Sequence, residues 1–175
     1  MLPPPDPLRQ PDLYWKQLAQ LKVACVCARL YRNQLARRVQ AVESIKAIAS
    51  SGGVAGWLIW RDFPILWTSI IAASQLLDAV KGVFPFARHH KAACDLSSAM
   101  EVIYIDAEYE WENIHAGKVP DDEINKQRTK LRKLQLETEM RNFPDGFAAS
   151  PAIIRLAIME ATDYLKMTFN RDAIR

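Results

Sequence analysis

Ala47 to Trp60 reads AIASSGGVAGWLIW, and Phe63 to Leu77 reads FPILWTSIIAASQLL. The first run holds 14 residues without a charge and the second 15, with Arg61 and Asp62 between them. Pro64 suits the first turn of a new helix, because its missing N–H is one that a helix start leaves unpaired anyway. A connection this short makes two successive helices antiparallel. The stretch from Ala47 to Leu77 therefore reads as an apolar helical hairpin, extended to residues 47–83 if Asp78 and Lys81 sit at its edge.

The flanking sequence has a different character. Between Leu13 and Ile48 there is neither Pro nor Gly. Leu18, Leu21, Ala24, Cys25, Ala28, Tyr31, Leu35, Val39 and Val42 recur at intervals of three and four, which aligns them as one stripe of a helix. Lys16, Lys22, Arg29, Arg32, Arg37 and Arg38 are assigned to the opposite, basic face, so residues 13–46 form a long amphipathic helix. Ahead of it, residues 1–12 carry Pro at 3, 4, 5, 7 and 11. That composition excludes a signal-peptide core and predicts an extended tether. Asp12 stands at the helix start.

Residues 84–175 read as a C-terminal helical region. Phe84-Pro85-Phe86 interrupts the chain, and a helix from Arg88 to Ile114 follows with Glu101, Asp106, Glu108, Glu110 and Glu112 in its second half. Gly117 and Pro120 mark a break. The next helix, Asp121 to Asn142, opens on Asp121-Asp122-Glu123, favourable against its dipole, and offers only a thin seam of Ile124, Leu131 and Leu134. Phe143-Pro144-Asp145-Gly146 is a turn by composition. Ser150-Pro151 starts a last helix with Ile154, Ala157, Ile158, Ala161, Leu165 and Phe169 on its apolar face. Only six glycines occur in 175 residues, and three of them (Gly52, Gly53, Gly56) fall within five positions. All-β folds need far more turn residues, so the fold class is all-α.

Whether the hairpin lies in lipid or in a protein core is decided by its surroundings. Each run alone is shorter than the roughly 20 residues that cross a bilayer. Three features favour the membrane. The runs are paired. Trp57, Trp60, Phe63 and Trp67 cluster at the turn, where an interfacial aromatic belt would lie. Arg37, Arg38 and Lys46 precede the hairpin, while Lys81, Arg88 and Lys91 follow it. The excess of positive charge on the cytoplasmic side then places both ends there, with Arg61-Asp62 across the bilayer. Gly52 and Gly56, four apart, suit close helix packing or oligomerisation. The alternative is a soluble bundle whose most hydrophobic pair is its centre.

The search for chemistry yields little. Glu112-x-x-His115 has the spacing of di-iron carboxylate bundles, but these need a second Glu-x-x-His. Before His89 and His90 the corresponding positions are Phe86 and Ala87, so the pair is a weak metal candidate and no cofactor is expected. No nucleophile elbow or phosphate-cradling loop occurs, and no enzyme activity is assigned. Cys25 and Cys27 point to different faces of a helix and Cys94 stands alone, which fits incidental thiols in a reducing compartment. A formal charge of +3 is too small to imply nucleic acid. The basic face of residues 16–38 is more commonly explained by packing against the acidic 101–112 helix, with anionic lipid as the other partner.

LYRNQLARRVQAVESIKAIASSGGVAGWLIW, FPFARHHKAACDLSSAMEVIYIDAEYEWENIHAGKVPDDEI and AIIRLAIMEATDYLKMTF, in this order, resemble the SLATT proteins, two-transmembrane effector modules of bacterial conflict and anti-phage systems. The resemblance covers nearly the whole chain from Leu13 onward and rests on topology and helix spacing. It implies a non-enzymatic protein of the bacterial inner membrane that forms homo-oligomers, perturbs lipid and answers to a sensor partner protein. The other expectation is a soluble helical adaptor that binds a partner protein through its C-terminal helices.

Overall fold

The computed structural model describes residues 9–59, 86–146 and 148–170, together with positions 65, 68, 69, 72, 73, 75 and 76 of the second apolar run. Four helices make up an all-α fold: α1 (Gln10–Ile59), α2 (Phe86–His115), α3 (Asp121–Asn142) and α4 (Pro151–Phe169). No strand occurs among the described residues.

The amphipathic segment and the first apolar run form one continuous helix of 50 residues. Between Asp12 and Phe63 no proline removes a backbone donor. An internal glycine costs about 1 kcal/mol against alanine, too little to end a helix of this length. The hairpin turn at Arg61 and Asp62 lies outside the described residues. The described positions of the second run are helical and exposed. Among the described residues no helix is long and apolar enough to cross a membrane. The charge-free part of α1 starts at Ala47 and the helix ends at Ile59, well short of the roughly 20 residues a span needs. The two membrane-crossing helices expected from the sequence thus find no support in the described helices.

The molecule divides into two compact units, one comprising residues up to Tyr31 together with those from Ala92 onward, the other Arg32–Lys91. The first unit is a four-helix bundle. The start of α1 meets the end of α2, where the Tyr14 hydroxyl donates to the Ala107 carbonyl at 3.2 Å. Further along α1, the Cys25 thiol donates to the Met100 carbonyl at 3.2 Å, so α1 and α2 run antiparallel. Gln17 meets Gln135 and Tyr31 meets Phe143, which makes α3 parallel to α1. Trp15 meets Phe169 and Arg29 meets Glu160, so α4 descends beside them. The order is up, down, up, down.

The core follows the predicted stripe of α1, but that of α4 only in part: Ala157, Ala161 and Leu165 are buried, whereas Ile154 and Ile158 flank that line and are 43 % and 38 % exposed. Leu18, Leu21 and Cys25 pack with Leu96, Met100, Ile103, Ala107 and Trp111, and with Leu165 of α4. Ala157 and Ala161 are fully buried near Val26 and Cys27, and their small side chains let α4 approach α1 closely. In α3 the buried positions are Ile124, Leu131 and Thr138, exactly seven apart, whereas Leu134 is 37 % exposed. The predicted seam misplaced its third member because residue 134 turns to the edge of the 124–131 face.

The helix ends obey local rules. Gly117 takes φ +70°, with its N–H on Ile114 O and that of Lys118 on Asn113 O, the Schellman arrangement that closes a helix. The Ser150 hydroxyl accepts from the Ile153 N–H, Pro151 sits in the first turn, and Asn170 caps the other end in the left-handed conformation.

Candidate functional site

Within the bundle the polar groups gather around Lys22. The sequence places this residue on the outer basic face of α1, yet it is only 8 % exposed. The assignment fails because Lys22 is four residues from Leu18 and three from Cys25, which puts it on the stripe that faces the core. Its ammonium lies 4.1 Å from the centre of the Tyr104 ring and 3.8 Å from that of Tyr164. Glu101 supplies a carboxylate oxygen at 3.6 Å. The Tyr164 hydroxyl donates to Glu108 Oε1 at 3.1 Å, and that of Tyr104 reaches the same oxygen at 3.5 Å. The ion pair to the acidic helix is thus made by Lys22 from the core-facing stripe, whereas Arg29 of the basic face pairs with Glu160 of α4.

A cavity of about 290 Å³ opens beside this cluster, lined by Lys22, Cys25, Arg29, Glu101, Glu160 and Tyr164 among others. Its electrostatics do not prepare a reactive group. Burial, then the charge of Glu101, pushes the Cys25 thiol up to about 12, partly offset by Lys22. A thiol in that range stays protonated and unreactive near neutral pH. Burial, then the charge of Glu108, raises Tyr104 above the ordinary tyrosine value, and the same causes in the same order raise Tyr164. Two aromatic faces, a carboxylate and neutral hydroxyls hold a cation in place. The arrangement joins α1, α2 and α4.

Glu112 and His115 are exposed at the end of α2, with the His115 ring 5.7 Å from that of Trp111. Among the described residues no group of three His, Cys, Asp or Glu side chains could hold a metal ion. Gly52, Gly56, Lys46 and Trp57 lie on the second half of α1, and Arg88 is exposed on the first turn of α2. Trp60, Arg61, Trp67 and Lys81 lie outside the described residues.

Compared with known proteins, the chain matches no family model, no curated protein and no solved structure.

Proposed function

We propose that the chain is a membrane-anchored, non-enzymatic effector, of the kind the SLATT resemblance implies, that self-associates and perturbs the bilayer through its apolar runs. The observation that carries this reading is the exposure of the described positions of the second run. Phe63 to Leu77 contains no charge, and its seven described positions are helical and exposed, Ile65 at 82 % and Leu76 at 66 %. Exposed apolar side chains such as Ile65 and Leu76 are stabilised by an apolar environment. Basic residues on both sides (Arg37, Arg38 and Lys46 before, Lys81, Arg88 and Lys91 after) support an inner-membrane location with both flanks cytoplasmic. In this reading the four-helix bundle is the part that meets a sensor partner.

Cell fractionation tests the proposal. The protein is expected in the membrane pellet, resistant to high salt and released by detergent; recovery in the soluble fraction without detergent overturns it.

A second reading, a soluble adaptor acting through its C-terminal helices, is favoured by the exposed apolar side chains of α4, chiefly Leu156, Met159 and Met167. Gly52→Leu with Gly56→Leu separates the two. In an adaptor the bulky pair lowers the thermal stability of a soluble protein. In a membrane effector it weakens oligomer formation or toxicity.

A further inference from the structure

Between α1 and α3, on the surface of the bundle, lies a groove of about 510 Å³ whose walls include Gln17, Gln20, Arg128, Arg132, Lys133 and Glu139. Three of these side chains are cations and one is a carboxylate. Glu139 is already engaged, accepting from Gln135 Nε2 at 2.9 Å. Among the described residues no ion pair engages Arg128, Arg132 or Lys133, and Arg128 gives one Nη2 hydrogen to the neutral Asn125 Oδ1 at 2.9 Å, which leaves the rest of its fork for another acceptor. Arg128 and Arg132 are one turn apart on α3, a like-charge spacing that destabilises a helix left to itself. Residues 126–133 (KQRTKLRK) hold five cations and no carboxylate. Lys126 differs from the groove residues: it is paired with Asp122 and Glu123 of its own helix. The repulsion is therefore offset at the start of α3 and left standing in the groove.

The opposite wall is neutral and donor-bearing. Gln17 gives one amide hydrogen to Gln135 Oε1 at 3.4 Å, which leaves its second amide hydrogen for another acceptor. Gln20, one turn along α1, is exposed. The lining thus carries a charge excess of two, with guanidinium forks on one side and amide donors on the other. A phosphate monoester carries close to two negative charges at neutral pH and three acceptor oxygens, and arginine forks match its geometry. The volume falls within the range of small-molecule sites, larger than a bare ion requires.

We infer that the groove between α1 and α3 binds a phosphate-bearing ligand, held by Arg128, Arg132 and Lys133 and oriented by Gln17 and Gln20. This site stands in the bundle and does not depend on how the apolar runs act. The same chemistry is offered by a free organic phosphate and by the headgroup of an anionic lipid.

Titration calorimetry of the full chain in a non-ionic detergent tests the inference, with inorganic pyrophosphate in one arm and phosphatidic acid carried in the same micelles in the other. Saturable binding of one ligand per chain, tighter than millimolar, is expected in at least one arm. Pyrophosphate alone assigns a free ligand, and phosphatidic acid alone assigns a headgroup. Arg132→Gln with Lys133→Gln should weaken binding at least tenfold, and Gln20→Glu should weaken it from the opposite wall. Lys126→Gln with Lys130→Gln removes the same charge from the same helix outside the groove and should change affinity less than twofold. The inference is overturned by the failure of both probes, by binding of a hexaglutamate peptide where neither phosphate binds, or by equal losses in the two double variants.

Discussion

Lys22 is the one buried charged side chain among the described residues, and its surroundings decide what its removal costs. A desolvated cation over aromatic faces contributes about 2 kcal/mol. Lys22→Ala should therefore lower the unfolding free energy by about 2 kcal/mol or somewhat more, since the stem's packing is lost as well. Lys22→Met, which restores the stem without the charge, should recover part of that loss. Equal stability of the alanine variant and the parent in urea denaturation would show that the two rings hold nothing. Cys25 adds a pH dependence at the same place. Its thiol is raised from 9.0 to about 12 by burial first, so the folded state keeps a proton that the unfolded chain releases. The native state therefore has its full advantage below about pH 9 and loses it as pH climbs towards 12. Between pH 9 and 10, where tyrosine ionisation affects both proteins alike, the parent should lose stability more steeply than Cys25→Ala. Parallel lines from denaturant midpoints would sink this account.

At the scale of the helices, the sharpest signals sit at the ends. Gly117 holds φ +70° with no atom within 4 Å of where a Cβ would stand, so only backbone strain opposes a side chain there. Gly117→Ala should destabilise by about 1 kcal/mol. Gly117→Asn, which tolerates the left-handed region better, should cost less. Thermal unfolding of the two variants checks the order. Ser150→Ala removes the hydroxyl that accepts from Ile153 N–H and should also cost about 1 kcal/mol. These ends were legible because glycine, proline and serine act through local geometry. The interior of α1 was legible for the same reason, since Leu18, Leu21 and Cys25 repeat at helical intervals. Lys22 was not, because a charge on an apolar stripe reads as surface until the partner rings of Tyr104 and Tyr164 are known. They lie 82 and 142 positions away along the chain. The groove between α1 and α3 was hidden likewise: Gln17 and Gln20 carry no charge, and residues 126–133 alone read as a solvated basic face.

At the scale of the whole molecule, the division into units gives the apolar runs and the bundle separate tests. Residues 32–91 form one compact unit and the bundle another. The bundle contains its own aromatic cluster, with Trp15 and Trp111 rings 5.1 Å apart. A charge placed on the second run should therefore disturb association without disturbing that cluster. Ile65→Lys with Leu76→Lys replaces two exposed apolar side chains by ammonium groups, each costly in a bilayer interior at about 3 kcal/mol on insertion scales. If the runs act in lipid, the double variant, made with Trp57, Trp60 and Trp67 replaced by Phe so that Trp15 and Trp111 alone remain, should move towards the soluble fraction, while the near-ultraviolet circular dichroism of the bundle tryptophans stays unchanged. A variant that remains in the membrane with full dichroism would show that the run does not anchor the chain. Loss of the dichroism signal would show that the runs support the bundle, as a soluble core would, and would return the reading to the adaptor. The two signals come from different units, so each of these outcomes can be read directly.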